Sequence, residues 1–122
     1  QNKPLTVFGD GSQTRSFCYI DDAVVGTVLA MENGTSGETY HIGTEEEITI
    51  EQLIREAGNF FEYAGDYEVA PTYPGSVARR CPDITKARKE LNYKPEISWK
   101  EGLKMTLAWY RDYIVNGQEV YE

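Results

Sequence analysis

Histidine is nearly absent from this sequence. His41 stands alone, and Cys18 and Cys81 are the only cysteines. Two thiols so far apart make neither a disulfide framework nor a metal cluster. A single imidazole with no Cys, His or acidic partner in sequence reach lacks what a general base needs, so His41 reads as structural or as a support behind a site. Cys18 lies in an apolar extended run and reads as a small packed hydrophobe. No apolar run approaches the roughly 20 residues that span a bilayer. Residues 1–15 are polar and Gly-rich and do not read as a signal peptide, so a cytoplasmic setting is expected. Basic charge is scarce too: 12 Lys and Arg against 20 Asp and Glu leave a net charge of −8. That balance excludes nucleic-acid binding through a broad basic face.

Catalytic signatures are also missing. No Gly-x-Gly-x-x-Gly or Gly-x-x-Gly-x-x-Gly follows a strand, and there is no P-loop and no Gly-x-Ser-x-Gly. None of the nine tyrosines has a lysine four positions later. The chain by itself carries no motif for redox or acyl chemistry.

What is present suits one small domain: 122 residues, 40% of them hydrophobic. The pattern predicts an α/β fold, a small mixed domain of short strands and about four helices over 1–122. Leu5–Phe8 reads as a half-buried strand, broken by Gly9-Asp10-Gly11 as a tight turn. A second extended run follows at Ser16–Ile20, and Asp21 and Asp22 are placed to cap a helix from about Ala23 to Glu32. Asn33-Gly34 reads as its C-cap with positive φ. Gly37–Ile42 reads as a strand, and the acidic run Glu45–Glu47 as a solvated turn. Thr49 and Gln52 form a capping box for an amphipathic helix carrying Ile50, Leu53, Ile54, Ala57, Phe60, Phe61 and Ala64, closed by Gly65. Tyr67–Pro71 is a strand and Thr72–Ala78 a loop turning at Pro74-Gly75. Asp83 is placed to cap a helix over Ile84–Leu91, and Asn92–Ile97 is irregular. Ser98 with Glu101 starts the last helix, with Leu103, Leu107, Tyr110 and Ile114 on one face. Asn116-Gly117 stops it, and 118–122 reads as frayed.

Chemistry concentrates on two loops. Arg15 and the pair Arg79/Arg80 offer guanidinium groups that suit one diphosphate through charge-assisted, bidentate hydrogen bonds. Phe8 can stack on a base, and Gln13 can meet a sugar hydroxyl or base edge. The alternative reading of these arginines is solvated surface charge.

The segments PLTVFGDGSQTRSFCYIDDAVVG, GETYHIG, TIEQL, RRCPDITKARKELNYKP and ISWKEGLKMTLAWYRDY resemble, in order, the carboxy-terminal part of extended short-chain dehydrogenases acting on nucleotide sugars. This is the NAD-dependent epimerase/dehydratase family, and the look is closest to UDP-glucuronate decarboxylase and dTDP-glucose 4,6-dehydratase. The resemblance implies a substrate-binding lobe without its Rossmann portion. It implies that Val7 and Phe8 lie along the nucleobase, that Gln13 sits near ribose or base, and that Arg15 and Arg80 hold the diphosphate of a UDP- or dTDP-sugar. Arg79 is then the lesser of its pair, and Tyr19, His41 and Asp83 stand behind the site. Phe8 replaces a common Tyr, and His41 falls where relatives often carry Asn. The resemblance implies NAD in the parent enzyme, oxidising the sugar at C4 and taking the hydride back, with no NAD expected on this chain alone. A missing Rossmann domain is the expected partner, and self-association through uncovered apolar surface is expected. Three readings stand: a fragment supplying the substrate lobe, a free-standing nucleotide-diphosphate module, or an inert folded remnant.

Overall fold

The computed structural model of the protein describes residues 4–63, 65 and 67–115. Leu5–Phe8 forms β1, whose alternation turns Val7 inward and leaves Phe8 exposed. Tyr67–Ala70 (β4) joins it in parallel, with Val7 opposite Val69. Gly9 (φ +91°) and Gly11 (φ +82°) make the expected turn in left-handed conformations that a residue without Cβ adopts freely. The chain continues into Thr14–Ser16 (β2), the middle strand of a second sheet. Glu47–Thr49 (β3) pairs antiparallel on one side of it, and Arg79–Arg80 (β5) pairs parallel on the other.

Four helices are present among the described residues: Ile20–Asn33 (α1), Ile50–Phe60 (α2), Thr85–Leu91 (α3) and Trp99–Val115 (α4). α2 and α4 start on reciprocal caps, which supply partners for amides that a first helical turn leaves open. Thr49 Oγ1 accepts from Gln52 N while Gln52 Oε1 accepts from Thr49 N, and Ser98 and Glu101 repeat the pattern. α1 departs from the sequence reading. It begins at Ile20, not Ala23, so the strand expected over Ser16–Ile20 is replaced by one that ends at Ser16. Asp21 and Asp22 therefore lie inside the first turn, and Asp22 serves another element. Its buried carboxylate accepts from Glu96 N (3.1 Å) and Ile97 N (2.9 Å), fixing the approach to α4.

Other expectations are corrected in the same way, by partners distant in sequence. Gly34 ends α1 at φ −69° rather than at positive φ, its amide donating to Ala30 O. α2 stops at Phe60 because Glu62 turns left-handed (φ +52°); Ala64, expected in that helix, lies outside the described residues, as do Asn116-Gly117 and 118–122. Asp83 is one residue too early to cap α3, whose cap is Ile84, although it accepts from Thr85 N at 2.9 Å. Gly37–Ile42 pairs with no strand among the described residues. A strand exists by its neighbour's hydrogen bonds, and this run spends its side chains on packing instead.

Ile84, Ala87, Leu91 and Tyr93 form the centre of the core, with Leu29, Ala30, Tyr40 and Ile42 packed around them. Gly26 permits the approach of α1, since a methyl there would run into Ile42 and stand 2.8 Å from Tyr93 Cε2. The Tyr93 hydroxyl, fully buried, donates to Gly43 O at 3.0 Å, and Cys18 Sγ lies 3.8 Å from it. Burial pushes the Cys18 thiol up, in keeping with a packed rather than reactive cysteine. No helix among the described residues is long and apolar enough to cross a membrane.

The acidic run is the largest correction. Glu45 pairs with Arg88 (2.5 Å) on α3, and Glu46 accepts from Trp99 N (3.0 Å) at the start of α4. Glu47 lies in β3 and is bonded to side chains of the other two strands of the sheet, β2 and β5. These are three anchors, not a solvated turn.

Candidate functional site

The turn and the sheet are built on α2. Gly11 O and Gln13 O accept the amides of Glu51 and Ile50, both at 3.0 Å, so the helix start holds the turn that leads into β2. Thr14 N donates to Ala78 O at 2.8 Å, drawing the end of the 71–78 loop alongside. In the parallel pairing that follows, Thr14 faces Arg79, and Arg15 faces Arg80. Residues in direct register share a face of a sheet, so the two arginines that lie 65 positions apart in sequence stand side by side. Ile48 completes that row from β3.

The opposite face carries Thr14, Arg79 and Glu47. There Glu47 Oε2 accepts from Arg79 Nε at 3.0 Å and Nη2 at 2.8 Å, while Oε1 accepts from the Thr14 hydroxyl. The Thr14 bond first, and Arg79 second, hold the Glu47 carboxyl below its ordinary range. Arg79 is thus neutralised within the sheet. Among the described residues no carboxylate pairs with Arg15 or Arg80. Arg15 is half-buried and steadied by its own strand, Nη1 donating to Thr14 O at 2.6 Å, and Arg80 is exposed.

A cleft of about 700 Å³ opens between the Gly9–Gln13 turn and the 71–78 loop, lined by Gly9, Gln13, Ala70, Thr72, Val77 and Ala78 among others. Gln13 and Ala78 are wall residues, and Arg15 and Arg80 each follow two positions further along the chain. Gln13 Nε2 donates to Phe8 O at 2.7 Å and ties the end of β1 to the turn. The Phe8 ring lies against Tyr73 with centroids 4.6 Å apart at 36°.

Of the residues singled out from the sequence, the fold gathers Phe8, Gln13, Arg15 and Arg80 around this turn, sheet and loop. Val7 is different: the residue is buried, backbone and side chain alike, opposite Val69 of β4. Tyr19 packs over Gly102, 3.0 Å from where a side chain would begin there, and so belongs to the α1–α4 contact. His41 and Asp83 share a separate exposed hollow with Thr39, Lys86 and Glu90. Asp83 is held low there, by Thr85 first and by the charge of His41 to a lesser degree. Two side chains were missed in the sequence. Tyr73 carried a signal, an aromatic before Pro-Gly at a loop tip; Glu47 carried none, being one of three consecutive glutamates.

A family profile described as GDP-mannose 4,6 dehydratase matches residues 1–106. The chain belongs to the GDP-mannose 4,6 dehydratase family. Within it, the UDP-N-acetyl-alpha-D-glucosaminuronate decarboxylase of Bacillus cytotoxicus is 35% identical over 92% of this chain and 37% of its own length. The solved UDP-glucose 4-epimerase of Thermotoga maritima, with UDP-glucose, is 34% identical with a TM-score of 0.87, covering 93% of this chain and 36% of that one. The UDP-glucuronic acid 4-epimerase of Bacillus cereus, solved with UDP-glucuronic acid and NAD, is 35% identical with a TM-score of 0.84, over 91% and 36%. The chain thus spans about a third of the length of these relatives. Its four helices and short strands are those of the C-terminal domain of extended short-chain dehydrogenases, and nucleotide-sugar decarboxylases, dehydratases and epimerases all stand among its relatives.

Relatives of this chain have been solved with NAD bound. The glycine turn after β1 leads to β2 and opens no helix, so no helix N-terminus faces a pyrophosphate there. The sequence has no Tyr-x-x-x-Lys.

Proposed function

We propose that residues 1–122 form the nucleotide end of the substrate site of a nucleotide-sugar epimerase, dehydratase or decarboxylase acting in the cytoplasm. Arg15 and Arg80 hold the diphosphate of a UDP- or dTDP-sugar, Phe8 stacks on the base with Tyr73 packed against it from behind, and Gln13 shapes the cleft beside them. The observation that carries this reading is the pairing, on one sheet face, of two guanidiniums that no carboxylate among the described residues engages, next to the turn and loop that line the cleft. Two such groups present parallel donors to the oxygens of a diphosphate. Binding energy gathered at this end orients the sugar, while the dinucleotide and the proton-transferring residues come from another part of the parent enzyme. Self-association belongs to the same reading and would use the exposed side of α1, where Ile20, Val24, Val28 and Met31 face outward. A monodisperse monomer by sedimentation removes that part.

Calorimetric titration of UDP and dTDP into this chain tests the proposal. Heat with saturation is expected. Arg15→Ala and Arg80→Ala each lower affinity by about tenfold or more, since hydrogen bonds to charged groups contribute roughly 1.5–3 kcal/mol. Arg55→Ala, which removes only a surface pair with Glu51, leaves affinity unchanged. No heat at millimolar nucleotide, or an unchanged affinity in Arg15→Ala, overturns the assignment.

A further inference from the structure

β5 is two residues long, and both are arginines. A strand that short is held by few backbone bonds, and sliding it by one position would exchange Arg79 and Arg80 between the faces of the sheet. Local sequence cannot choose between two identical side chains. A third party must.

We infer that Glu47 is that party, a positioning residue that decides which arginine of the Arg79-Arg80 pair is presented to the ligand. Its carboxylate reaches all three strands on the face away from Arg15 and Arg80: it belongs to β3, takes the Thr14 hydroxyl of β2, and takes two guanidinium N–H groups from Arg79 of β5. Binding Arg79 there fixes the register in which Arg80 stands beside Arg15. It also removes a third cation from competition for the anion. The inference rests on the diphosphate reading above and deepens it. Glu47 itself stays on the far face and touches no ligand.

The sign of one substitution separates this role from the simpler one, in which Glu47 merely shields Arg79 from an anion. UDP is titrated calorimetrically into the chain and into Glu47→Gln, Arg79→Gln, the double variant and Arg79→Lys. Under the positioning role, Glu47→Gln and Arg79→Gln each weaken UDP binding about tenfold, and the double variant is no weaker than either, because both remove the same clamp. Arg79→Lys, which keeps a cation for Glu47, recovers most of the affinity. Thermal unfolding of each variant separates loss of positioning from loss of fold, and if Glu47→Gln does not fold, Thr14→Val loosens the same clamp from β2. Equal or tighter UDP binding by Glu47→Gln overturns the inference while leaving the diphosphate reading in place. Absence of UDP binding by the unsubstituted chain overturns both.

Discussion

Asp22 shows how much a single buried carboxylate can decide. It is only 7% exposed, yet it sits in the first turn of α1 and accepts two backbone amides, Glu96 N and Ile97 N, from the far side of the core. Those amides have no strand or helix partner to fall back on, so removing their acceptor leaves two donors stranded. Asp22→Ala is expected to lower stability by about 2–4 kcal/mol, with hydrogen bonds to charged groups and orphaned donors both contributing. Asp22→Asn, which keeps one strong acceptor, costs about half as much by the same reasoning. Urea unfolding followed by far-UV circular dichroism measures both; equal stability of Asp22→Ala and the unsubstituted chain refutes the account. From the sequence, an Asp-Asp pair ahead of an apolar helix reads as a cap, because cap chemistry is local. The partner that claims Asp22 is 75 positions away.

Elements whose signals are local were legible, and elements defined by distant partners were not. α2 and α4 announce themselves through Thr49-x-x-Gln52 and Ser98-x-x-Glu101, where donor and acceptor lie within one turn. β5 has no such signal, because two arginines become a strand only when Thr14 and Arg15 arrive beside them. Arg15 and Arg80 could be named from residue chemistry and resemblance, but their convergence is a property of the parallel pairing. The segment Glu45–Glu47 failed for the opposite reason: its charge suggested water, while each glutamate in turn anchors α3, α4 and the three-stranded sheet. Glu46 gives the test at this scale. Its carboxylate accepts the Trp99 amide at the positive end of α4, so Glu46→Ala forfeits a cap and a favourable charge–dipole contact. A loss of about 1 kcal/mol is expected. Hydrogen exchange should show it as faster exchange at Trp99 and its neighbours with α3 unaffected; exchange that is uniform or unchanged contradicts the anchor.

For the molecule as a whole, stability against pH follows from where its carboxylates and its buried tyrosine stand. Net charge is −8 at neutral pH, a self-repulsion that eases as carboxylates begin to take up protons. Against this, Glu38, Glu47, Asp83 and Glu101 are held below their ordinary values by hydrogen bonds to Lys86, Thr14, Thr85 and Ser98 respectively. A carboxyl whose folded pKa is lowered contributes stability that is present above its unfolded value and lost as pH falls through the folded one. That loss therefore begins near the ordinary values of 3.8 for Asp and 4.5 for Glu and grows below them. Tyr93 acts at the other end. Burial first, then Cys18, raises its phenol above the ordinary 10.0, so its contribution is whole below that pH and is lost as pH rises beyond it. The urea midpoint should thus rise modestly from pH 7 to about 5, fall below about 4.5, and fall again above about 10. Tyr93→Phe, which cannot ionise and gives up the bond to Gly43 O, should lower the midpoint throughout and flatten the alkaline limb. A midpoint that keeps rising below pH 4 would mean that self-repulsion outweighs the bonded carboxylates, and an alkaline limb unchanged in Tyr93→Phe would place its cause in other groups.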